Sequence, residues 1–314
     1  MDLINSSLQA IERNRRSGAA QLAARAIQVL ITVCRRAKAA GGEELAAVVL
    51  GSARKLAAVR PSMAAIRNWS LTFAQQFQQY ACQGMPMPEL RQKGVLLGHD
   101  LLRRQQKLVG LQLAEARRLL KNCHSVVTLS YSSTVEAMLS RALPAGRQVT
   151  IAESRPLLEG RRLFSRLLES GCRLTMITDA QLGQAVPAAD LVLVGADTVL
   201  RDLAVVNKSG TYLAALVAKY HQVDFLVAAD TFKINTAADS STCMLEAKSG
   251  SEVWRRHPDH CRNVYFDVTP AEFVTAFITE HGILEPPQLQ PHLHHWQQLE
   301  RIIPPDGCEC VPPP

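Results

Sequence analysis

Apolar residues recur at helical spacing in about the first 120 residues. Between residues 21 and 33, one helix face is formed by Leu22, Ala26, Val29, Leu30 and Val33. A Gly-Gly pair at residues 41–42 interrupts this pattern, and the acidic pair at residues 43–44 suits the positive end of a new helix. After a further break at residues 84–88, residues 89–121 contain no proline and predict one long connecting helix.

From residue 125, short β-rich runs alternate with helical runs. Six runs predict strands, at residues 125–129, 148–152, 173–177, 190–194, 224–228 and 263–267. Amphipathic runs predict helices at residues 134–143, 158–168, 211–220 and 270–280. Strands that are apolar throughout are buried on both faces, and strand–helix alternation gives a parallel sheet covered on both sides.

The chain is therefore predicted to be α/β, with a helical N-terminal part before a doubly wound parallel sheet. The helical part covers residues 1–122 and includes the long connecting helix. The sheet and its helices cover residues 123–285 and form the ligand-binding part. Residues 286–314 are rich in Pro, Gln and His and are predicted to be a loosely held, flexible tail.

Polar residues follow the predicted strands, at the edge where ligands of such sheets bind. They are Ser130, Ser132, Ser133, Glu153, Arg155, Asp197, Asn207 and Lys208. Helix starts near residues 132–134 and 209–211 offer unpaired N–H groups to an anion. Arg155 and Lys208 add charge suited to phosphate, and the carboxylates can hold sugar hydroxyls or move a proton. This edge is predicted to bind a small phosphorylated ligand.

Several of these residues also have a purely structural interpretation. Ser132 and Ser133 are common helix N-cap types. Asp197 is compatible with a helix cap or with a structural pair to Lys208. Cys123 precedes the first strand, at the opposite end of the sheet from the pocket, and is interpreted as structural.

Sequence fingerprints for cofactors are missing. No GxGxxG follows a predicted strand and no GxxxxGK[ST] occurs, so neither a dinucleotide site nor a P-loop is predicted, and no cofactor is expected. The residues His292, His294 and His295, with Cys-Glu-Cys at residues 308–310, match no common zinc spacing. No metal site is predicted.

Charge is uneven along the chain, whose net charge is +7. Residues 1–122 hold 19 Lys or Arg and 7 Asp or Glu, a balance of +12, and the remainder holds 16 and 21, a balance of −5. The basic half suits either an acidic partner or an ordinary solvated helical surface. Interleaved aromatics and known reader motifs are missing, so nucleic-acid binding is not favoured, although it stays open.

The cellular compartment is inferred from cysteine usage and hydropathy. Eight cysteines without paired spacing are typical of a cytosolic chain with reduced thiols. No apolar run reaches the roughly 18 residues of a membrane span, and the first residues have no signal-like apolar region. A cytoplasmic protein without membrane contact is expected.

Four segments carry a resemblance to a known family: ESRPLLEGRRL at 153–163, GAD at 195–197, NKSGT at 207–211 and FDVTPAEFVTAFITEHGI at 266–283. Weaker matches are SGAAQLAARA at 17–26 and VRPS at 59–62. The sequence resembles the family that joins the alpha, beta and delta subunits of translation initiation factor 2B with methylthioribose-1-phosphate isomerase and ribose-1,5-bisphosphate isomerase.

The resemblance implies a Rossmann-like C-terminal domain, a phosphosugar pocket against the helical domain, and a homodimer or higher homo-oligomer. The positions that match the family's substrate-holding residues are Gly18, Ala19, Arg60, Asn207 and Lys208. The family's reacting Asp matches Asp197, and its reacting Cys falls on Ser130.

Two departures bear on activity. A Ser hydroxyl is far less acidic than a thiol, whose ordinary pKa is about 8.5, and cannot shuttle a proton equally well without a strong base. The first phosphate turn has Ser17 where the family has Arg, although Arg15 and Arg16 are close. Tyr131-Ser132 and residues 231–233 also resemble the initiation-factor subunits more than the isomerases.

Two functions are therefore predicted. The first is an initiation factor 2B-like protein that binds a phosphorylated sugar or nucleotide without the usual Cys-dependent chemistry. The alternative is an aldose-1-phosphate to ketose isomerase that uses Asp197 as acid/base, with Ser130 or a water replacing the thiol.

Overall fold

The N-terminal part of the chain is helical, as predicted. The computed structural model describes residues 2–14 and 17–302. The first helices are α1 (Asp2–Glu12), α2 (Ala19–Arg36), α3 (Gly42–Ala58), α4 (Ala64–Ala81) and α5 (Met87–Leu120). Helix α2 buries Leu22, Ala26 and Leu30, the face that the spacing predicted. Helix α5 is the predicted long helix and has 34 residues.

Two glycines let α5 approach α2 closely. A Cβ on Gly98 would lie 2.2 Å from Cγ1 of Ile31, and one on Gly94 would lie 2.7 Å from Sγ of Cys34. Glycine lowers helix propensity by about 1 kcal/mol relative to alanine. In α5 these glycines serve close helix packing.

The second part alternates strands and helices. Its strands are β1 (Ser125–Leu129), β2 (Gln148–Ala152), β3 (Arg173–Ile177), β4 (Leu191–Gly195), β5 (Thr198–Val199), β6 (Val205–Lys208), β7 (Asp224–Ala228), β8 (Phe266–Thr269), β9 (Ala276–Thr279) and β10 (Gly282–Leu284). Its helices are α6 (Ser133–Arg141), α7 (Glu159–Leu167), α8 (Leu182–Ala185), α9 (Thr211–His221) and α10 (Gln290–Ile302).

Seven of the strands form one sheet with the order β10-β9-β7-β4-β1-β2-β3. All its neighbours are parallel except β9 and β10. The chain runs outward from β1 to β3 on one side and continues from β4 on the other, so the strand order reverses between β1 and β4. This is the doubly wound α/β fold that the sequence predicts, and its reversal point is where ligands of such sheets bind.

Alternate residues of the central strands enter two apolar clusters, one on each face of the sheet. Val126 and Leu193 pack with α6, α7 and the end of α5. Val127 and Val194 pack with α9 and with the helical N-terminal part. That second cluster contains residues of both predicted domains, and the division at residue 122 stays a prediction.

The strand predicted at residues 263–267 is displaced. It begins at Phe266, and β8 pairs antiparallel with β6 in a separate three-stranded sheet of order β5-β6-β8. The apolar run correctly predicted a strand. That strand, β8, lies outside the parallel sheet, and its partner β6 runs antiparallel to it. The prediction of a sixth parallel strand at this position was wrong.

The helix predicted at residues 270–280 was also wrong. Residues Ala271–Phe273 form a single 3₁₀ turn and β9 follows, with Phe277 and Ile278 fully buried and paired in parallel with β7. Phe273 and Phe277 stand four residues apart, which fits a helix face. Burial of both faces of the strand overrides that spacing.

Part of the predicted loose tail is packed. Residues Pro286–Leu289 form a 3₁₀ turn and α10 follows. The side chains of Leu293 and Trp296 are buried in the core. Trp296 donates a hydrogen bond of 2.8 Å from Nε1 to the carbonyl of Thr231. Apolar residues at Leu289, Leu293 and Trp296 have helical spacing, which the Pro- and His-rich composition obscured.

Candidate functional site

A cavity of ≈ 1250 Å³ lies beyond the carboxyl ends of β1 and β4. Its wall on the sheet side includes Ser130 after β1 and Asp197 after β4. From the helical side it is closed by residues near the start of α2, such as Gly18, and by Arg60, two residues after the end of α3. The cavity therefore lies between the two parts of the chain, at the reversal of strand order.

Positive charge dominates the described lining. Six basic residues line the cavity: Arg13, Arg25, Arg60, Arg162, Lys208 and Lys248. Three acidic residues join them: Glu12, Glu159 and Asp197. This balance favours an anionic ligand, because low-dielectric walls strengthen the field of the lining charges.

Lys208 is held at the wall as a buried cation. Its side chain is 4% exposed, and Nζ lies 2.9 Å from Oε2 of Glu159. The same ammonium stands 4.9 Å from the ring centroid of Tyr265. The sequence left open a structural pair between Lys208 and Asp197. The ion-pair partner is Glu159, at the first turn of α7.

Arg60 connects the cavity to the first helix. It is 6% exposed, and Nη1 donates to the carbonyls of Glu12 and Asn14 at 3.3 and 3.2 Å. Nε lies 3.8 Å from Oε1 of Glu246 and is buried without a hydrogen-bond partner among the described residues. The guanidinium is thus fixed by two backbone carbonyls and by its ion pair with Glu246, and Arg60 lines the cavity.

The turn after β1 has unusual backbone geometry. Ser130 has φ 62°, which a non-glycine residue rarely adopts, and is 9% exposed. Such conformations are costly and concentrate at functional sites. The next polar residue, Ser132, caps α6 by accepting a hydrogen bond from the Val135 N–H at 3.4 Å.

The end of β4 packs closely against Ser132, the residue that caps α6. A Cβ on Gly195 would lie 2.7 Å from Oγ of Ser132, so only glycine lets the two segments touch. The Gly-Ala-Asp turn then presents Asp197, whose N–H donates to the carbonyl of Val206 at 2.9 Å.

Asp197 is a partly buried carboxyl whose proton affinity is high. Burial raises the pKa of Asp197 to about 6, and the positive charges of Lys233, Arg60 and Lys208 oppose that rise. No described residue hydrogen-bonds its carboxylate. A carboxyl that titrates near neutrality in a cavity is suited to acid–base chemistry or to accepting ligand hydroxyls.

Asn207 is fixed by α9. Its Nδ2 donates to Oγ1 of Thr211 at 2.9 Å, while the Thr211 hydroxyl donates to the carbonyl of Lys208. The amide of Asn207 is therefore oriented, and both Asn207 and Lys208 line the cavity.

One of the two predicted anion-binding helix starts is already occupied. Oδ2 of Asp267 accepts the N–H groups of Gly210 and Tyr212 at 2.8 and 3.1 Å. The N-terminus of α9 therefore binds a carboxylate of the chain itself, and the expectation of free N–H groups there was wrong. Asp267 lies 57 residues from Gly210, beyond the reach of local pattern reading.

Four predicted binding residues stand away from the described cavity lining. Ala19 is buried at the start of α2, and Ser133 begins α6. Glu153 accepts a hydrogen bond from Nη2 of Arg161 at 2.8 Å. Arg155 is exposed and donates to the carbonyl of Val253. The structure brings together Gly18, Arg60, Ser130, Ser132, Asp197, Asn207 and Lys208.

Sequence reasoning missed several lining residues. They include Arg25, Tyr131, Glu159, Arg162 and Lys248. Arg162 stands one helical turn after Glu159 on α7, and its guanidinium lies 3.8 Å from the ring centroid of Tyr131. The three-residue spacing of Glu159 and Arg162 on a predicted helix could have indicated that both face the same side. Lys248 lies in an irregular segment, where no periodicity points to it.

No group of three or more His, Cys, Asp or Glu in the described residues could hold a metal ion. Cys308, Glu309 and Cys310, with Arg15 and Arg16, lie outside the described residues. The helices in the described ranges include none that is long and apolar enough to span a membrane.

Comparison with known proteins agrees with this architecture. The Initiation factor 2 subunit family matches residues 15–286. An eIF-2B subunit 2-like protein of Pyrococcus furiosus is 33% identical over 237 residues, covering 75% of this chain and 80% of that protein. A methylthioribose-1-phosphate isomerase of Pelotomaculum thermopropionicum is 33% identical, covering 89% and 82%.

The solved structure of the translation initiation factor eIF-2B of Pyrococcus horikoshii has a TM-score of 0.77 at 30% identity. It covers 90% of this chain and 97% of that one. The sequence match and the shared fold agree, and this chain belongs to the Initiation factor 2 subunit family.

Proposed function

We propose that this protein is an initiation factor 2B-like protein that binds a phosphorylated sugar or nucleotide in the cavity, without Cys-dependent isomerase chemistry. One observation carries the proposal. The described lining has twice as many basic as acidic residues, and two of its cations, Arg60 and Lys208, are buried. Each of the two has one carboxylate neighbour, Glu159 for Lys208 and Glu246 for Arg60. The lining as a whole keeps an excess of three positive charges, six basic against three acidic residues, which an anionic ligand would balance.

The phosphate would lie near Arg60 and Lys208. Arg60 lines the cavity and is 6% exposed, so its guanidinium charge is little screened by water. Lys208 supplies a second positive charge in the same lining, and guanidinium and ammonium groups together suit phosphate oxygens. The turn at Gly18 is open, because a Cβ there would meet no atom within 4 Å.

The sugar hydroxyls would meet the acidic side of the cavity. Asp197 and Glu159 both line it and can accept hydrogen bonds from hydroxyls. The cavity volume of ≈ 1250 Å³ exceeds the needs of a pentose phosphate alone. A nucleotide is therefore accommodated as readily as a sugar phosphate.

The surroundings of Ser130 do not favour proton transfer by its hydroxyl. No described residue hydrogen-bonds its hydroxyl, so no general base is in place to activate it. A serine without a base is a weak nucleophile and a weak acid at neutral pH. The proposal therefore assigns the cavity to binding.

The isomerase is the second candidate, and one observation favours it. Burial raises the pKa of Asp197 to about 6, which suits a general acid or base near neutral pH. The relative from Pelotomaculum thermopropionicum is named as an isomerase. In this candidate Asp197 moves the proton, and Ser130 or a water takes the place of the thiol.

We also propose a cytoplasmic homodimer or higher homo-oligomer. The six cysteines among the described residues are all free, which suits a reducing compartment. Leu213, Leu216 and Tyr220 are exposed along one side of α9, and exposed apolar patches often mark interfaces. Sedimentation of the wild-type protein and of Leu216→Glu tests this, because a dimer through α9 would dissociate in the variant.

Titration calorimetry with ribose 5-phosphate, adenosine monophosphate, ribose and adenosine tests the binding proposal. We expect binding of at least one phosphorylated compound and none of the unphosphorylated ones. Lys208→Met should weaken binding about tenfold or more, whereas Lys219→Met, on the exposed end of α9, should not. Equal binding of ribose and ribose 5-phosphate would contradict the proposal.

A further inference from the structure

Two cations of the cavity lining meet on one carboxylate. Oε1 of Glu246 lies 3.8 Å from Nε of Arg60, and Oε2 accepts a hydrogen bond from Nζ of Lys248. Arg60 belongs to the helical part of the chain and Lys248 to the irregular segment before β8, and both line the cavity. A single carboxylate thus serves two cations, and this group keeps one positive charge in excess.

Glu246 joins these cations from outside the cavity. It is not among the lining residues in the described ranges, whereas Glu159 is. It also accepts a hydrogen bond from the hydroxyl of Ser62, which is 3% exposed, at 3.2 Å. Burial opposes its ionisation, but the hydrogen bond from Lys248 and the charge of Arg60 hold the pKa of Glu246 below its ordinary value. The ionised carboxylate therefore orients both cations and leaves the space in front of them to a ligand.

The ring of Tyr265 connects Lys248 to Lys208. Its centroid lies 5.8 Å from Nζ of Lys248 and 4.9 Å from Nζ of Lys208. The face of an aromatic ring attracts ammonium groups at such distances. Tyr265 is 6% exposed, and its hydroxyl donates to Oε2 of Glu252. This fixed ring therefore holds two lysines from separate segments at one wall of the cavity.

The backbone that carries Lys248 is also fixed. Its N–H donates to the carbonyl of Asn263 at 2.8 Å, and Ala247 forms an antiparallel bridge with Val264. Nδ2 of Asn263 donates in turn to the carbonyl of Ser249 at 2.7 Å. Lys248 is thus held on both sides, although the segment is neither helix nor strand.

We infer that Arg60, Lys208 and Lys248 form one three-cation site for the phosphate of a phosphomonoester, in which Lys248 is a further ligand-binding residue. The inference rests on the proposed function, because that phosphorylated ligand is the one proposed for this cavity. Contacts with Glu246 and with Tyr265 link Lys248 to the two cations already assigned to the phosphate.

The number of cations sets the kind of phosphate. A phosphomonoester has three terminal oxygens and carries close to two negative charges at neutral pH. A phosphodiester has one terminal oxygen fewer and a single charge. Three cations around one point match the first group better than the second, since each can donate to a separate oxygen. The three-cation site should therefore select phosphomonoesters over phosphodiesters.

Titration calorimetry of the full chain with inorganic phosphate and with dimethyl phosphate tests the role of Lys248. The wild type should bind phosphate at least about tenfold more tightly than dimethyl phosphate. Lys248→Met should weaken phosphate binding about tenfold and reduce this preference. Lys248→Arg should restore both, and Lys219→Met, on the exposed end of α9, should change neither. The Lys248 side chain is 23% exposed, so its replacement by Met leaves the core intact.

A second measurement needs no neutral variant. The ¹⁵N resonance of the Lys248 ammonium, assigned with Lys248→Arg, should shift in the wild type as inorganic phosphate is added. Dimethyl phosphate at the same concentration should shift it much less. A purely structural lysine would not follow the occupancy of the cavity. Equal phosphate binding by wild type and Lys248→Met, or an unmoved Lys248 resonance at saturating phosphate, would overturn the inference.

The two proposals can fail separately. Binding of ribose 5-phosphate to the wild type and equally to Lys248→Met would support the proposed function and refute the role of Lys248. A Lys248 resonance that follows inorganic phosphate, without binding of ribose 5-phosphate or adenosine monophosphate, would support the three-cation site and refute the proposed function. A wild type that binds none of these compounds would refute both.

Discussion

The ammonium of Lys208 lies 3.0 Å from Oε1 and 2.9 Å from Oε2 of Glu159, and both residues line the cavity. The carboxylate of Glu159 is therefore paired with the ammonium group that a phosphate would otherwise bind. In Glu159→Gln, Lys208 loses this competitor, and the affinity for inorganic phosphate should rise about tenfold, or about 1.4 kcal/mol. Titration calorimetry measures it, with Glu169→Gln, at an exposed site, as the control. Unchanged or weaker phosphate binding would show that Lys208 does not meet the phosphate.

Gly195 allows the end of β4 to touch the cap of α6. In Gly195→Ala, the new methyl group would lie 2.7 Å from Oγ of Ser132, and the free energy of unfolding should fall by about 1–3 kcal/mol. Gly110→Ala is the matched control, because Gly110 is an exposed position inside α5 with no atom near its Cβ. That control should gain about 0.5–1 kcal/mol. Urea denaturation distinguishes the two, and equal effects would refute the close contact.

The placement of Ser130 and Asp197 shows what the sequence could predict. Both follow apolar strands, and a doubly wound sheet brings the ends of its first and fourth strands to one crevice. Position along the chain was therefore sufficient to bring them together. Glu153 and Arg155 do not join them in the cavity lining, because Glu153 pairs with Arg161 and Arg155 donates to the carbonyl of Val253.

Other features depend on contacts that local patterns do not encode. The four-residue spacing of Phe273 and Phe277 fits a helix, and pairing with β7 decides for a strand. Asp267 reaches the start of α9 from 57 residues away. The burial of Lys233 results from packing against α4, which the sequence places more than 150 residues earlier.

Asp267 makes the stability of the fold depend on pH. Burial raises its pKa to about 6, above the value of about 3.9 expected in the unfolded chain. The protonated carboxyl therefore favours the folded state below pH 4, and this contribution is lost as the pH rises through about 6. Between pH 4 and 6, the free energy of unfolding should fall less in Asp267→Asn than in the wild type. The difference should be roughly 1–3 kcal/mol, because one pKa unit corresponds to about 1.4 kcal/mol.

Denaturant titrations at several pH values check the role of Asp267. The control is Asp224→Asn, at an exposed position at the start of β7. Identical pH profiles for wild type and Asp267→Asn would contradict the account of this carboxyl.

Trp296 anchors α10 on the turn that carries Lys233. It is buried, donates to the carbonyl of Thr231 and meets the ring of Phe232 edge-on at 5.0 Å. Trp296→Ala should cost about 3–5 kcal/mol of stability. Trp296→Phe keeps most of the apolar contact and should cost about 1 kcal/mol through the lost hydrogen bond.

Thermal and urea unfolding measure the effect of the Trp296 variants. His294→Ala, on the exposed side of the same helix, should stay within about 0.5 kcal/mol of wild type. If Trp296→Ala is equally mild, α10 does not contribute to the core as described.

The proposed function requires the cavity to bind phosphorylated ligands without the Cys-dependent chemistry. Phosphorus NMR of the pure protein with ribose 1,5-bisphosphate and with methylthioribose 1-phosphate tests it most directly. We expect the ligand resonances to broaden or shift on binding and no new ketose resonance to develop. New ketose resonances that disappear in Asp197→Asn would contradict it and establish an isomerase.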